Sequence, residues 1–123
     1  MLFRRLRRPT GPARPSRLGQ PAGALEGVDP AGRPVSVDPE GLTVYFLTSS
    51  CEPCRPLWPT VTAERAVVVT PDPSTESRRK VAELAPGGVR VVMSSDSWFA
   101  YAAGPAPWKV RVAGGVVVAE GPA

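Results

Sequence analysis

Apolar residues along this chain fall in short dense runs separated by turn residues, and long amphipathic stretches are few. Leu42-Thr43-Val44-Tyr45-Phe46-Leu47-Thr48 is a β-branched and aromatic run that is nearly continuously apolar. That pattern predicts a strand covered on both faces. Ala66-Val67-Val68-Val69-Thr70 predicts a second buried strand, and Val89 to Met93 a short third one. Upstream, Leu25 to Val28 and Arg33 to Val37 flank Asp29-Pro30-Ala31-Gly32. Proline presets φ in that turn and glycine ends it, so a β-hairpin is expected. Pro34 cannot donate to a ladder, which places its strand at an edge. Trp108 to Val112 and Val116 to Ala119, around Gly114-Gly115, predict a terminal hairpin.

Helical signals lie between the strands. Arg55 to about Arg65 reads as a short helix with Pro56 near its first turn and a bend at Pro59. Asp72-Pro73 reads as a helix start, with Asp as N-cap and Pro at the first helical position. Val81, Leu84 and Ala85 give that helix one apolar stripe, and Pro86-Gly87-Gly88 stops it. Ser95 or Asp96 caps a brief helix through Ser97 to Ala102, before Gly104-Pro105-Ala106-Pro107 breaks the chain. Strands joined by helices pair in parallel, and hairpins pair antiparallel. The expected fold is therefore α/β, a mixed sheet with helices on its faces.

Composition refines this picture. The 123 residues are one domain's length, and 42% hydrophobic residues suffice for a packed interior. The net charge of +4 is unevenly spread. Residues 1–20 carry Arg4, Arg5, Arg7, Arg8, Arg14 and Arg17 and no acid, while residues 21–123 have a small acidic excess. We expect a basic disordered tail over 1–20, solvated or touching an anionic lipid surface, and a domain over 21–123. There is no basic groove interleaved with aromatic residues for nucleic acid. No run approaches the ~18 apolar residues of a membrane-spanning helix. The first residues are charged like the start of a signal peptide, without the apolar stretch that should follow. As written the chain reads as soluble and cytoplasmic. It would be extracytoplasmic or membrane-associated if the true start lies upstream.

The chemistry rests on two residues. Histidine is absent, which removes Ser-His and Cys-His nucleophile pairs and imidazole metal sites. The two cysteines are Cys51 and Cys54. On a helix, positions i and i+3 share a face, so the two sulfurs can bond. At the start of a helix the thiolate of Cys51 would be stabilised and act as nucleophile, with Cys54, one turn inside, attacking second. A structural zinc site needs four ligands, and one chain supplies two, so only a homodimer would complete it. A two-thiolate Cu(I) module or an inactive adaptor is the non-enzymatic alternative. Neither metal nor organic cofactor is needed for thiol exchange.

Strand, Cys-x-x-Cys, helix, strand and a late proline before a hairpin resemble the thioredoxin superfamily, in its TlpA/ResA/MauD-like branch of thiol–disulfide oxidoreductases. The resemblance runs from about Leu25 to Gly121. LEGVDPAGRPVSV is similar to that branch's N-terminal hairpin, TVYFLTSSCEPCRPLWP to its reactive stretch, and APWKVRVAGGVVV to its cis-proline loop and hairpin. The resemblance implies catalytic Cys51 and Cys54, a cis Pro107 facing them, and an Ala106 backbone that pairs with extended substrate. Trp58 and Trp108 are candidate walls of a substrate groove. Partners would be a disulfide-bearing protein or small thiol and an electron donor or acceptor. The family's C-terminal helix has no counterpart here, which leaves a sheet face for water, another protein or a second copy. Peroxiredoxins share the superfamily and also place Thr three residues before the reactive Cys, as Thr48 stands here. Their preceding proline is Val44 in this chain, so a thiol peroxidase is the weaker enzymatic alternative.

Overall fold

The computed structural model describes residues 15–101 and 103–123. Seven strands form one mixed sheet: β1 Leu25–Val28, β2 Pro34–Val37, β3 Thr43–Phe46, β4 Ala66–Thr70, β5 Arg90–Met93, β6 Trp108–Ala113 and β7 Val116–Pro122. Their order across the sheet is β2-β1-β5-β4-β3-β6-β7. The centre is parallel, with Val44 opposite Val67 and Val68 opposite Val91. The flanks are antiparallel: β1 with β2 and β5, β3 with β6, and β6 with β7. All five residues of β4 are buried, as a central strand covered on both faces requires. Each fully buried valine there contributes roughly 1.5–3 kcal/mol of burial free energy.

The first hairpin forms as expected. The Gly32 amide donates to the Asp29 carbonyl at 2.8 Å, and Gly32 has φ 87. The Asp29 carboxylate accepts from the amides of Ala31 and Arg33, which hold its acid below the usual carboxylate range, Arg33 contributing most. Pro34 does open an edge strand. Gly27 has a separate reason to be glycine: a Cβ there would overlap the carbonyl oxygen of Met93 on the neighbouring strand.

Two packed layers sandwich the sheet. One holds Leu25, Val44, Phe46, Val67, Val69, Val92 and Val110, with Trp98, Tyr101 and Trp108. The other holds Leu47, Cys54, Trp58, Val61, Val68, Val81, Val91 and Met93, with Cys51 and Ala106. Helix α1, Arg78–Leu84, buries Val81 in the second layer, and helix α2, Ser95–Ala100, lies near β4 and β1.

Two helical expectations are corrected. The helix over Arg55 to Arg65 does not form. Two 3₁₀ turns, Glu52–Cys54 and Trp58–Thr60, replace it. Pro53, Pro56 and Pro59 each lack an N–H, so no α-ladder can run through the segment. Helix α1 starts at Arg78 rather than after Asp72, because the Ser77 hydroxyl caps the Lys80 amide. Asp72 instead closes a turn on Ser74.

The tail was expected to reach residue 20, yet residues 16–22 lie against β7. Gly19 donates to Val117, Val117 to Gln20 and Ala22 to Gly115, with Pro21 bridging Val116. The Ser16 hydroxyl reaches the Glu120 carboxylate at 2.8 Å. The edge of β7 offers main-chain groups that a neighbouring segment satisfies. Expectations for residues 1–14, including lipid contact, lie outside the described residues, as does Ala102 at the expected end of α2.

Candidate functional site

The pair sits where β3 leaves the sheet. The Leu47 amide makes a last bond to the Val69 carbonyl, 3.1 Å. Thr48, Ser49 and Ser50 then carry the chain to Cys51, which is extended, at φ −87 and ψ 116, and caps the first 3₁₀ turn. The Cys54 amide donates to the Cys51 sulfur at 3.2 Å and to the Cys51 carbonyl at 3.2 Å. Cys51 and Cys54 form a disulfide, with Cα atoms 5.2 Å apart.

The two sulfurs have unequal surroundings. Cys54 is completely buried among Leu47, Trp58 and Val68, while Cys51 is half-buried at the margin of that layer. The turn behind Cys51 is too short to supply an α-helix dipole, which corrects the helix-terminus argument. Its local substitute is the Cys54 amide aimed at the Cys51 sulfur. An N–H pointed at sulfur favours the thiolate over the thiol.

The Ala106–Pro107 peptide is cis. Ala106 packs against the same layer as Cys51 and Cys54, so the loop and the pair share one side of the molecule. Pro107 is half-buried, and its carbonyl accepts from the Ala123 amide at 3.1 Å.

The two candidate groove tryptophans lie on different layers. Trp58 is 1% exposed and fills the interior beneath Cys54, so it offers no wall to a substrate in solvent. Trp108 belongs to the opposite layer, opposite Phe46 in register, and its ring lies over Gly104, where a Cβ would collide with it.

Sequence reasoning also missed a residue. Glu76 is buried, at 9% exposure, in the loop before α1. Its carboxylate accepts from the Ser49 amide at 2.8 Å, the Ser49 hydroxyl at 2.5 Å and the Ser77 amide at 2.8 Å. The only hint in the sequence is an acid amid serines and prolines, which ordinarily marks an exposed loop.

A groove of ≈ 280 Å³ lies elsewhere, on β3, β6 and β7, lined by Thr43, Tyr45, Lys109, Arg111 and Ala119. Among the described residues, no cluster of His, Cys, Asp or Glu could hold a metal ion, and no helix is long and apolar enough to cross a membrane.

Comparison with solved structures decides the architecture. A conserved protein of unknown function from Bacteroides fragilis superposes with a TM-score of 0.61 at 15% identity, covering 85% of this chain and 90% of that one. A protein from Bacteroides thetaiotaomicron described as a "putative protein disulfide isomerase" gives 0.57 at 18% identity, covering 87% and 79%. The fold is thioredoxin-like. No family model and no curated protein matches the chain. Within this thioredoxin-like sheet, the Cys51–Cys54 disulfide follows the central strand β3.

Proposed function

We propose that the protein is a thiol–disulfide oxidoreductase of the TlpA/ResA/MauD-like branch, acting on disulfides of proteins or small thiols. The observation that carries this reading is the asymmetry of the pair: a half-buried Cys51 beside a fully buried Cys54 in one disulfide. A disulfide closing so short a loop constrains little of the unfolded chain, which argues against a purely stabilising role.

In the reduced protein, the Cys51 thiolate attacks one sulfur of a substrate disulfide. That S–S bond breaks, a mixed disulfide forms at Cys51, and the second substrate sulfur leaves as a thiolate and takes up a proton. The Cys54 thiolate then attacks the Cys51 sulfur. The mixed disulfide breaks, the substrate departs with both sulfurs reduced, and the Cys51–Cys54 bond re-forms. Two electrons pass from the pair to the substrate, and an external dithiol must return them. The Cys54 amide beside the Cys51 sulfur stabilises the attacking thiolate. Ala106 supplies main chain on the same side for an extended substrate segment.

The test is dithiothreitol-driven insulin reduction by the wild type, Cys51→Ser and Cys54→Ser. Acceleration by the wild type alone supports the reading. Three rates equal to the uncatalysed one remove it.

A further inference from the structure

We infer that Glu76 is a positioning residue that biases the Cys51–Cys54 pair toward its disulfide form. This rests on the redox reading of the pair, but its test needs no protein substrate.

Glu76 is an acidic side chain held out of water, and that has a cost unless its oxygens are satisfied. Three donors satisfy them, and two of the three come from one residue, Ser49. Ser49 is part of the short segment between the last sheet bond at Leu47 and the reactive Cys51. The Glu76 loop is itself anchored, since the Glu76 amide donates to the Asp72 carbonyl at 3.0 Å and the Asp72 amide donates to the Ser95 hydroxyl at 3.1 Å. The carboxylate therefore ties the approach to Cys51 onto a separately fixed part of the fold.

This clamp acts unequally on the two redox states. In the disulfide form, the bond to buried Cys54 already restrains Cys51 and the residues leading to it. In the dithiol form that covalent restraint is gone, and the clamp takes a larger share in limiting the segment. Restricting the freer state costs more conformational entropy, so the clamp favours the disulfide. Charge works in the same direction. The Cα atoms of Ser49 and Cys51 are no more than about 7 Å apart. A carboxylate bound to Ser49 thus opposes a thiolate at Cys51, which exists only after reduction.

The experiment equilibrates the protein with reduced and oxidised glutathione, quenches with acid, and counts free thiols by mass after alkylation. Reduction consumes two glutathione thiols, converts the Cys51–Cys54 disulfide to two thiols, and yields one glutathione disulfide. In E76Q the equilibrium should move at least fivefold toward the dithiol. In S49A, which keeps the carboxylate and the amide bond but loses the hydroxyl donor, it should move about twofold the same way. A residue that merely holds the fold together would lower the melting temperature of both forms and leave the equilibrium in place. A cooperatively folded E76Q within twofold of wild type overturns the inference. If E76Q does not fold, S49A decides: a twofold shift toward the dithiol supports it and an unmoved equilibrium overturns it. Failure in insulin reduction together with a shifted equilibrium would reject the proposed activity and leave the role of Glu76 standing.

Discussion

The Glu40 carboxylate grips the β6–β7 turn at Gly114, accepting that residue's amide at 2.7 Å and the next amide, of Gly115, also at 2.7 Å. Both glycines have positive φ, 62 and 76, a conformation in which successive N–H groups can converge on one carboxylate. The contact joins the β2–β3 connection to the β6–β7 hairpin. Glu40→Ala should cost about 1 kcal/mol in urea unfolding, as expected for an exposed charge-assisted bond. Glu40→Gln, with one acceptor oxygen in place of two, should fall between. A Glu40→Ala midpoint matching the wild type would show that the contact contributes nothing.

The unequal burial of the two sulfurs predicts a sharp difference in trapping. Reduced Cys54→Ser, treated with an aromatic disulfide, should form a stable adduct at Cys51. Reduced Cys51→Ser should react at least tenfold more slowly, because Cys54 is 0% exposed. Stopped-flow absorbance of the released thiolate measures both rates. Equal rates, or a faster Cys51→Ser protein, would reverse the assigned roles.

Alkaline pH probes the opposite layer. Tyr101 is buried against Phe46, with ring centroids 6.0 Å apart, and donates its hydroxyl to the Gly23 carbonyl at 2.5 Å. Burial first, and then the negative charge of Asp38, push its phenol up from 10.0 to about 12. The native state thus prefers the neutral phenol more than the unfolded chain does. That contribution is complete below the unfolded value near 10 and is lost as pH rises toward 12. Wild-type stability should therefore fall more steeply from pH 10 to 12 than that of Tyr101→Phe, which has no proton to lose. Urea midpoints at pH 8, 10 and 11 test this, and parallel profiles would contradict it.

Much of the sheet was legible because its signals are local. The β-branched run of β4 and the Asp29-Pro30-Ala31-Gly32 turn specify their own conformations, and the structure has both where the pattern puts them. The segment after Cys54 was misread because Pro56 and Pro59 pass for a first-turn residue and a bend, while together they deny the ladder a helix would need. The start of α1 was displaced because Asp72 and Ser77 are both good caps, and Asp72 closes a turn on Ser74 while Ser77 caps the helix. Trp58 and Trp108 look alike in sequence, yet the first sits in a 3₁₀ turn on one layer and the second in β6 against the other. The cysteines were legible as a pair from spacing alone. Their difference in exposure came from the layer beneath Cys54, which no local pattern encodes.

A main-chain bond just past β7 also bears on the loop beside the cysteines. Proline has no amide hydrogen to offer, and the carbonyl of Pro107 already receives one from Ala123. That bond draws the cis-proline loop, which packs on the same layer as Cys51 and Cys54, onto the residue that follows β7. Ala123 and Pro107 therefore couple the β6–β7 hairpin to the side of the molecule that carries the disulfide.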